Sequence, residues 1–180
     1  MSKKVVIVGG VAGGASAAAR LRRLDEQAEI IMLERGEYIS YANCGLPYYI
    51  SNVITDRKKL LVQTPEAMKK VFNIDVRVNN EVTAINPDKK EVEVLDHNGK
   101  VYRESYDYLI LSPGAAPVRP PIPGIDADNV FTVRSVPDVD VLKEFIEKTQ
   151  AKKGSSCWRW LYRFRNGGKY PSIGYQNNNN

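Results

Sequence analysis

Cys44 is the residue of this sequence with the clearest capacity for covalent chemistry. It lies in the segment Ser40-Tyr41-Ala42-Asn43-Cys44-Gly45-Leu46-Pro47-Tyr48-Tyr49. A lone cysteine is most often a small buried hydrophobic residue. Here Gly45-Leu46-Pro47 follows as the start of a predicted helix, where the helix dipole favours the nucleophilic thiolate. No second cysteine follows within the next five positions, so a redox role would use a mixed disulfide with a small thiol or a sulfenic acid.

A group of glycines marks a second chemical feature near the N-terminus. A turn that binds a diphosphate needs backbone N–H groups aimed at the phosphates and no Cβ in the way, and a helix start adds its positive dipole end. The spacing departs from strict G-x-G-x-x-G, because Val11 stands where the second glycine would be. The glycines are Gly9, Gly10, Gly13 and Gly14.

Glu34 completes the pattern of a dinucleotide site. It lies 25 positions after Gly9, at the end of a predicted strand, and its carboxylate can accept hydrogen bonds from the 2′ and 3′ hydroxyl groups of a ribose. The alternative is a glycine turn that only allows tight packing, with Glu34 on the surface. The two features together favour dinucleotide binding.

The elements that position these residues follow from periodicity. Residues 5–8 predict a strand, 15–24 a helix and 29–33 a second strand, which together form a βαβ unit whose parallel sheet is buried on both faces. On the helix, Ala17, Leu21 and Leu24 predict the apolar stripe that packs on the sheet. The neighbouring polar stripe is Ser16, Arg20 and Arg23.

The remaining elements predict an antiparallel layer inserted into this α/β frame. The sequence indicates a helix at 65–72, β-forming segments at 74–78, 82–85, 91–95 and 101–103, a hairpin turn at 96–99, and a buried strand at 108–111. Ser112-Pro113-Gly114 ends that strand, and 117–124 is an extended proline-rich connector. A β-forming segment at 130–133 and a helix at 136–147 follow.

Composition bounds the class of protein. The chain has 180 residues, of which 43% are apolar and 26% charged, as in an ordinary soluble globular protein of about one domain. Two cysteines exclude a disulfide scaffold, and the apolar fraction excludes disorder. The longest apolar runs are too short for a membrane helix or a signal peptide, so we expect a cytoplasmic location. We expect no metal site.

The residues after Lys153 differ sharply in composition from the rest. The net charge of +5 comes from the C-terminal part, where basic residues are not balanced by acidic ones and both tryptophans and a run of four asparagines occur. A nucleic-acid strip is a possible interpretation of basic residues interleaved with aromatic ones, but the segment is short, glycine-rich and without apolar periodicity. We expect neither nucleic-acid nor membrane binding.

Four segments together resemble a known family. GGVAGG, LERGEYISYANCGLPYYI, YDYLILSPGAAP and PPIPGI look like the N-terminal part of the flavin-dependent coenzyme A disulfide reductases, which group with NADH oxidases and NADH peroxidases among the single-cysteine pyridine nucleotide-disulfide oxidoreductases. The resemblance covers residues 1–153 and implies a Rossmann-like FAD-binding domain, incomplete in this chain. It implies that NAD(P)H reduces the flavin and that Cys44 alternates between a thiolate and a Cys-S-S-CoA mixed disulfide.

The resemblance also implies the site residues. Substrate contacts would come from Ser16, Arg20, Arg23, Ser40 and Asn43, and two guanidinium groups on one helix face suit a phosphate-bearing thiol. The implied FAD contacts are the four glycines with Glu34, Arg35, Asn43, Val82, Ser112 and Gly114. For the full-length protein, the resemblance implies a homodimer.

The chain departs from the family after Lys153, where a second glycine turn for NAD(P)H is expected. Reading residues 154–166 one base later, through permissible codons, gives Val-Val-Val-Val-Gly-Gly-Gly-Phe-Ile-Gly-Leu-Glu-Met, a strand followed by G-x-G-x-x-G. Tryptophan has one codon, so the glycines opposite Trp158 and Trp160 are fixed by the sequence itself. We therefore expect residues 154–180 to be a frameshifted tail and the 180-residue product to turn over NADH negligibly.

Three functions stay open at this point. The first is reduction of coenzyme A disulfide through Cys44. The second is an oxidase or peroxidase of the same family that uses a Cys44 sulfenic acid. The third is a non-catalytic, truncated flavin-binding fragment.

Overall fold

The computed structural model describes residues 2–151 and residue 154. The predicted frameshifted tail, residues 154–180, lies outside the described residues except for Gly154. Contacts divide the chain into two compact units, Met1–Val139 and Asp140–Asn180. The described part of the second unit is mainly the continuation of the last helix, in which Lys148 Nζ lies 2.5 Å from Glu144 Oε1.

The described residues form strands and helices close to those predicted. The strands are β1 (Lys4–Val8), β2 (Glu29–Glu34), β3 (Asp75–Val78), β4 (Glu81–Asn86), β5 (Glu91–Leu95), β6 (Val101–Ser105) and β7 (Tyr108–Leu111). The helices are α1 (Ala12–Leu24), α2 (Leu46–Ile50), α3 (Pro65–Phe72) and α4 (Val136–Thr149), with short 3-10 turns at Asn43–Gly45 and Arg57–Leu60. Residues 130–133, predicted as β-forming, are not a strand.

Two sheets build the first unit. The four-stranded sheet has the order β3-β2-β1-β7 with every pair parallel, and the three-stranded sheet has the order β4-β5-β6 with both pairs antiparallel. This confirms the predicted fold class, a Rossmann-like parallel sheet with an antiparallel layer inserted in the chain. Because β1 lies in the interior of the sheet, the loop that follows it is at the carboxyl edge, where ligands bind in such folds.

The parallel sheet is buried on both faces. Alternate residues of β2 point to opposite sides, so Ile30 and Met32 belong to one apolar cluster and Ile31 and Leu33 to another. Helices α1 and α3 cover the first face through Ala18 and Met68, among others. Strand β5 covers the second face through Val92 and Val94. The antiparallel layer therefore takes the place that a crossover helix occupies in other sheets of this kind.

Helix α1 differs from the prediction in its start and in its buried face. It begins at Ala12, so Gly13 and Gly14 lie inside the helix rather than before it. Its buried residues are Gly14, Ala15 and Ala18. Of the predicted apolar stripe, Leu21 packs against the core, whereas Leu24 is 67% exposed. The small residues let the helix approach β1 more closely than a leucine stripe would allow.

No helix of the described residues is long and apolar enough to cross a membrane.

Candidate functional site

The turn between β1 and α1 is built from backbone packed against backbone. Gly9 has φ of +93°, and a Cβ added there would lie 2.0 Å from the carbonyl oxygen of Ser112. A Cβ on Gly14 would lie 1.7 Å from the carbonyl oxygen of Gly9. Ser112 N–H in turn donates to Val8 O at 2.7 Å, which holds the two loops side by side. These two positions therefore accept only glycine.

The start of α1 leaves backbone donors available for an anion. Val11 occupies the N-cap position, and no side chain accepts a hydrogen bond there. The first turn contains no acidic residue. Uncapped N–H groups at a helix start, with the dipole behind them, form a phosphate site.

Glu34 is fixed by two backbone donors. Its Oε2 accepts from Gly10 N at 2.7 Å and its Oε1 from Gly36 N at 2.9 Å. A carboxylate has about four lone-pair sites, so each oxygen can accept one further bond. The carboxylate that was predicted to bind a ribose is thus held beside the glycine turn with acceptor capacity to spare.

The loop carrying Cys44 is shaped by its neighbours. Cys44 lies in the 3-10 turn Asn43–Gly45, which runs directly into α2, and both Cys44 and Asn43 are exposed. Gly45 is buried, and a Cβ there would lie 3.2 Å from Leu60 Cδ2. Ala42 N–H donates to Leu60 O at 2.8 Å. The predicted helix start after the cysteine is confirmed.

A third apolar cluster supports α2 from behind. Leu46 and Tyr49 pack with Val136 and Val139, which lie in the first turn of α4 and are fully buried. The burial anchors one side of the short helix, while Cys44 at its start stays exposed. The thiol is therefore presented on a fixed backbone to solvent.

Ser40 joins the cysteine loop to the glycine turn. It adopts a left-handed φ of 44°, and its N–H donates to Gly10 O at 2.9 Å. Its own carbonyl accepts from Val62 N at 2.8 Å. A strained backbone held by two hydrogen bonds fixes the direction in which the chain leaves toward Cys44.

A cleft of about 440 Å³ lies beside α1 and contains three of the predicted substrate residues, Ser16, Arg23 and Ser40. Arg20 and Asn43 are exposed but do not line it. Apart from Arg23, the residues of α1 that line the cleft are small, and Gln63 adds an amide. Its apolar lining includes Met68 and Phe72.

The other predicted FAD residues lie in different settings. Arg35 is exposed directly after Glu34. Val82 pairs with Val94 and packs against the second apolar cluster. Gly114 has φ of +69°, and a Cβ there would lie 2.9 Å from Arg134 Nη2.

The sequence analysis did not identify Arg134, which contacts both the segment after β7 and the loop that carries Cys44. Arg134 Nε donates to Ala115 O at 2.9 Å, and Arg134 O accepts from Tyr41 OH at 3.4 Å. Burial raises the pKa of Tyr41, and the nearby Arg134 partly opposes the shift.

The start of α4 is capped by a side chain that the sequence analysis did not single out. Asp138 accepts from Arg134 N and Ser135 N at 2.9 and 3.0 Å, which caps α4. Ser135 and Asp138 at capping-box spacing were the available signal for this cap.

A charged network joins the two sheets through Glu104. Glu104 on β6 accepts from Lys4 Nζ at 2.5 Å and from Arg77 Nη1 at 2.6 Å. Burial alone would raise the pKa of Glu104, but the bonds from the two cations hold it below its usual value. Arg77 also donates to Asp75 at 2.7 Å, and its pKa is raised although burial acts in the opposite direction.

Comparison with known proteins places these features in a family. The family described as pyridine nucleotide-disulphide oxidoreductase matches residues 3–151. The coenzyme A disulfide reductase of Staphylococcus haemolyticus (strain JCSC1435) is 43% identical over 152 residues, which are 84% of this chain and 34% of that protein. The enzyme of the same name from Staphylococcus epidermidis (strain ATCC 12228 / FDA PCI 1200) is 45% identical over 151 residues, 83% and 34% of the two chains.

Solved structures give the same result. The crystal structure of reduced Bacillus anthracis CoADR-RHD superposes with a TM-score of 0.83 at 58% identity, over 85% of this chain and 28% of that one. The water-forming NADH oxidase from Lactobacillus brevis, bound to NADH, superposes with a TM-score of 0.77 at 34% identity, over 82% and 33%. The chain spans about a third of the length of the relatives it matches.

The matches confirm the resemblance and the cofactor prediction. Proteins of this family bind FAD and a nicotinamide dinucleotide. The roles of the individual site residues stay predictions.

Proposed function

The chain belongs to the pyridine nucleotide-disulphide oxidoreductase family, and we propose that it is the FAD-binding part of an enzyme that reduces coenzyme A disulfide through Cys44. One observation carries the proposal. An exposed cysteine at the start of α2 is tied, through Ser40 and Gly10, to a glycine turn and a carboxylate suited to a dinucleotide.

The glycine turn fits the diphosphate of FAD. The backbone at Gly9 and Gly14 leaves no room for a Cβ, and the N–H groups that start α1 have no side-chain cap. Glu34 keeps acceptor sites on both oxygens for the ribose hydroxyl groups. We assign the diphosphate to the turn and the adenosine ribose to Glu34, with Gly10 and Gly13 completing the turn.

The remaining FAD contacts are proposed from the family resemblance. Arg35 follows Glu34 directly and is exposed. Ser112 lies against the glycine turn, since it contacts the positions where Gly9 and Gly13 would carry a Cβ, and Gly114 follows two residues later. Val82 lies two residues after Asn80, whose N–H donates to Glu34 O at 3.0 Å. Asn43 adjoins the cysteine.

The cleft beside α1 suits the phosphate-bearing part of coenzyme A. Arg23 supplies a guanidinium group that can bind a phosphate in bidentate fashion, and the hydroxyl groups of Ser16 and Ser40 are further polar contacts. Arg20 lies one helical turn before Arg23 on an exposed face. We propose that Arg20 and Asn43 contact the substrate at the edges of this cleft.

The chemistry uses Cys44 as nucleophile. Its thiolate attacks one sulfur of the disulfide, the sulfur–sulfur bond breaks, and one coenzyme A leaves as a thiolate that takes up a proton. Cys44 is then held in a mixed disulfide with the second coenzyme A. FAD held at the glycine turn and Glu34 would supply the two electrons that cleave this mixed disulfide, taken in turn from NAD(P)H. The second coenzyme A thiol leaves, and Cys44 returns to the thiolate.

The covalent step can be tested on the 180-residue chain itself. We expect incubation of the FAD-loaded chain with coenzyme A disulfide to increase its intact mass by one coenzyme A moiety, and dithiothreitol to remove it. The chain has a second cysteine, Cys157, so the matched variants are Cys44→Ser and Cys157→Ser. Loss of the adduct in Cys157→Ser but not in Cys44→Ser would refute the assignment.

An oxidase or peroxidase is the second candidate, supported by the 34% identity to a water-forming NADH oxidase. In that case Cys44 would form a sulfenic acid with peroxide. Dimedone labelling of Cys44 after peroxide treatment, without any adduct from coenzyme A disulfide, would favour it. Arg23→Ala separates the two functions, because it should weaken the reaction with coenzyme A disulfide and leave labelling after peroxide unchanged.

We further propose that residues 154–180 are a frameshifted tail. The support is the composition change after Lys153, the G-x-G-x-x-G recovered one base later, and a family match that stops at residue 151. Hydrogen exchange tests the proposal, which a tail that proved folded and packed on the domain would refute. Resequencing the DNA across codons 150–180 then separates a sequencing error, in which a base is gained or lost, from a frameshift carried by the gene itself. If residues 154–180 are such a tail, the glycine turn for NAD(P)H that the resemblance places after Lys153 would be lost, and we expect negligible NADH turnover from the 180-residue chain, as for a truncated flavin-binding fragment.

The proposed setting is that of the family. We propose a cytoplasmic location, a small thiol or disulfide as partner, no nucleic-acid or membrane binding, and homodimerisation in the full-length protein.

A further inference from the structure

Asn80, in the turn between β3 and β4, bonds to three separate parts of the first unit. Its N–H donates to Glu34 O at 3.0 Å, and its Nδ2 donates to Val78 O at 2.8 Å. Its Oδ1 accepts from Tyr102 OH on β6 at 2.8 Å. Asn80 therefore links the end of β2, which carries Glu34, to the antiparallel layer.

Tyr102 is itself held in place. Its ring packs against the apolar cluster formed by β1, β2 and β5. Arg77 Nη1 donates to the hydroxyl oxygen at 3.3 Å, and the guanidinium carbon lies 5.8 Å from the ring centroid. The hydroxyl group thus has a fixed position and both accepts and donates a hydrogen bond.

Asn79 strengthens the same connection. Its N–H donates to Gly36 O at 3.1 Å, from a left-handed φ of 55°. Consecutive N–H groups of Asn79 and Asn80 therefore hold the carbonyl groups of Gly36 and Glu34. Between those two carbonyls, Gly36 N–H donates to the Glu34 carboxylate at 2.9 Å. Hydrogen bonds therefore fix both the backbone that follows Glu34 and the Glu34 carboxylate itself.

We infer that Asn80 and Tyr102 are positioning residues that orient the Glu34 carboxylate toward the hydroxyl pair of a bound ribose. The inference rests on the proposed dinucleotide site. A hydrogen bond between a hydroxyl group and a carboxylate weakens steeply when its angle departs from linear, so a loosened Glu34 loses discrimination for the hydroxyl groups. Neither Asn80 nor Tyr102 needs to touch the nucleotide for this effect.

The test compares two nucleotides that differ in one hydroxyl group. ADP and 2′-deoxy-ADP are titrated into the 180-residue chain by calorimetry, and the ratio of their dissociation constants reports the ribose contact alone. We expect the wild type to favour ADP by about tenfold or more, as for a hydrogen bond to a charged group. Tyr102→Phe keeps the ring but removes the hydroxyl, and Asn80→Ala removes the linking side chain.

We expect both variants to reduce the preference for ADP by about threefold, through weaker ADP binding with little change for 2′-deoxy-ADP. Tyr106→Phe is the matched control, because Tyr106 packs against the same cluster and its hydroxyl has no hydrogen bond among the described residues. It should leave the preference unchanged. Melting temperatures of all variants show that they are folded.

The outcomes distinguish the proposed dinucleotide site from the positioning role of Asn80 and Tyr102. A wild type that binds neither nucleotide, or both equally, refutes the dinucleotide site at Glu34 and the inference with it. A wild type that prefers ADP, with variants that lose affinity for both nucleotides by the same factor, refutes the positioning role alone. If Tyr102→Phe does not fold, Asn80→Ala carries the same comparison.

Discussion

Replacing Glu104 with glutamine should destabilise the protein in a strongly pH-dependent way. Glu104 is the acceptor at the centre of the network between the two sheets, and its side chain is 13% exposed. Lys4 Nζ lies 2.5 Å from one carboxylate oxygen and Arg77 Nη1 2.6 Å from the other. Glutamine keeps the shape and one acceptor oxygen but leaves the two cations without their shared negative charge.

The size of the effect follows from these contacts. Hydrogen bonds to charged groups contribute about 1.5–3 kcal/mol each when well shielded. Lys4 and Arg77 are 25% and 29% exposed, which reduces that value, and each keeps a second partner, Glu29 at 3.5 Å and Asp75 at 2.7 Å. We therefore expect Glu104→Gln to lower the free energy of unfolding by about 2 kcal/mol at neutral pH.

The pH dependence follows from the direction of the pKa shift. Burial raises the pKa of Glu104, but the bonds and charges of Lys4 and Arg77 outweigh it, so the native pKa lies below the unfolded one. Such a group contributes stability that is present above the unfolded pKa of about 4.3 and is lost as the pH falls through the native pKa. The difference between wild type and variant should therefore shrink in acid.

Urea unfolding followed by circular dichroism, from about pH 7 to about pH 3, measures this difference. Glu81→Gln is the control, because Glu81 is an exposed carboxylate at the start of β4 in the same layer. It should change the free energy of unfolding by less than about 0.5 kcal/mol at every pH. A Glu104→Gln difference that is absent at neutral pH, or equally large in acid, would refute the reasoning.

Three further predictions test two glycine positions and the hydrogen bonds that cap α4. Gly14→Ala should destabilise the protein by about 3 kcal/mol or more and abolish FAD binding, since the added Cβ would lie 1.7 Å from Gly9 O; an unchanged Tm would contradict this. Gly99→Ala meets no atom within 4 Å and only strains a φ of +77°, so thermal unfolding should show a cost of about 1 kcal/mol. Asp138→Ala removes the acceptor of Arg134 N and Ser135 N, and urea unfolding should show a loss of about 1 kcal/mol, largely restored in Asp138→Asn.

Local patterns predicted most of the first unit. Strands β5 and β7 and helix α3 have the predicted bounds, because alternation, apolar runs and a proline in the first helical turn are local signals. The hairpin at 96–99 is confirmed for the same reason: Asp96 Oδ1 accepts from Asn98 N and Lys100 N, and Gly99 has the positive φ that the turn requires. These hydrogen bonds lower the pKa of Asp96, with Lys100 N–H as the main cause.

The errors have physical causes that a local pattern does not contain. Helix α1 begins three residues earlier than predicted because Gly13 and Gly14, poor helix formers, are needed where the helix touches β1 and Ser112. Tertiary packing overrides their propensity. Leu24 was assigned to the buried stripe by spacing alone, but it is the last residue of α1 and its side chain is exposed.

Contacts between residues far apart in the chain could not be predicted from the sequence for another reason. Tyr41 and Arg134 are 93 positions apart, and Lys4 and Glu104 are 100 apart. No spacing rule relates such residues, since their proximity depends on how the antiparallel layer and the start of α4 pack. Glu34 was found because the strand that carries it completes a known βαβ pattern, whereas Asn80 and Tyr102 come from outside that pattern.

A single residue, Gly10, connects the two chemical features of the site. Gly10 N–H donates to the Glu34 carboxylate at 2.7 Å, while Gly10 O accepts from Ser40 N at 2.9 Å. A Cβ on Gly10 would lie 2.7 Å from Ile39 Cγ2, so the residue is confined on its third side as well. A shift of the glycine turn would therefore disturb both the Glu34 carboxylate and the chain that leads to Cys44. We expect substitutions in the turn to impair cofactor binding and the placement of the thiol together.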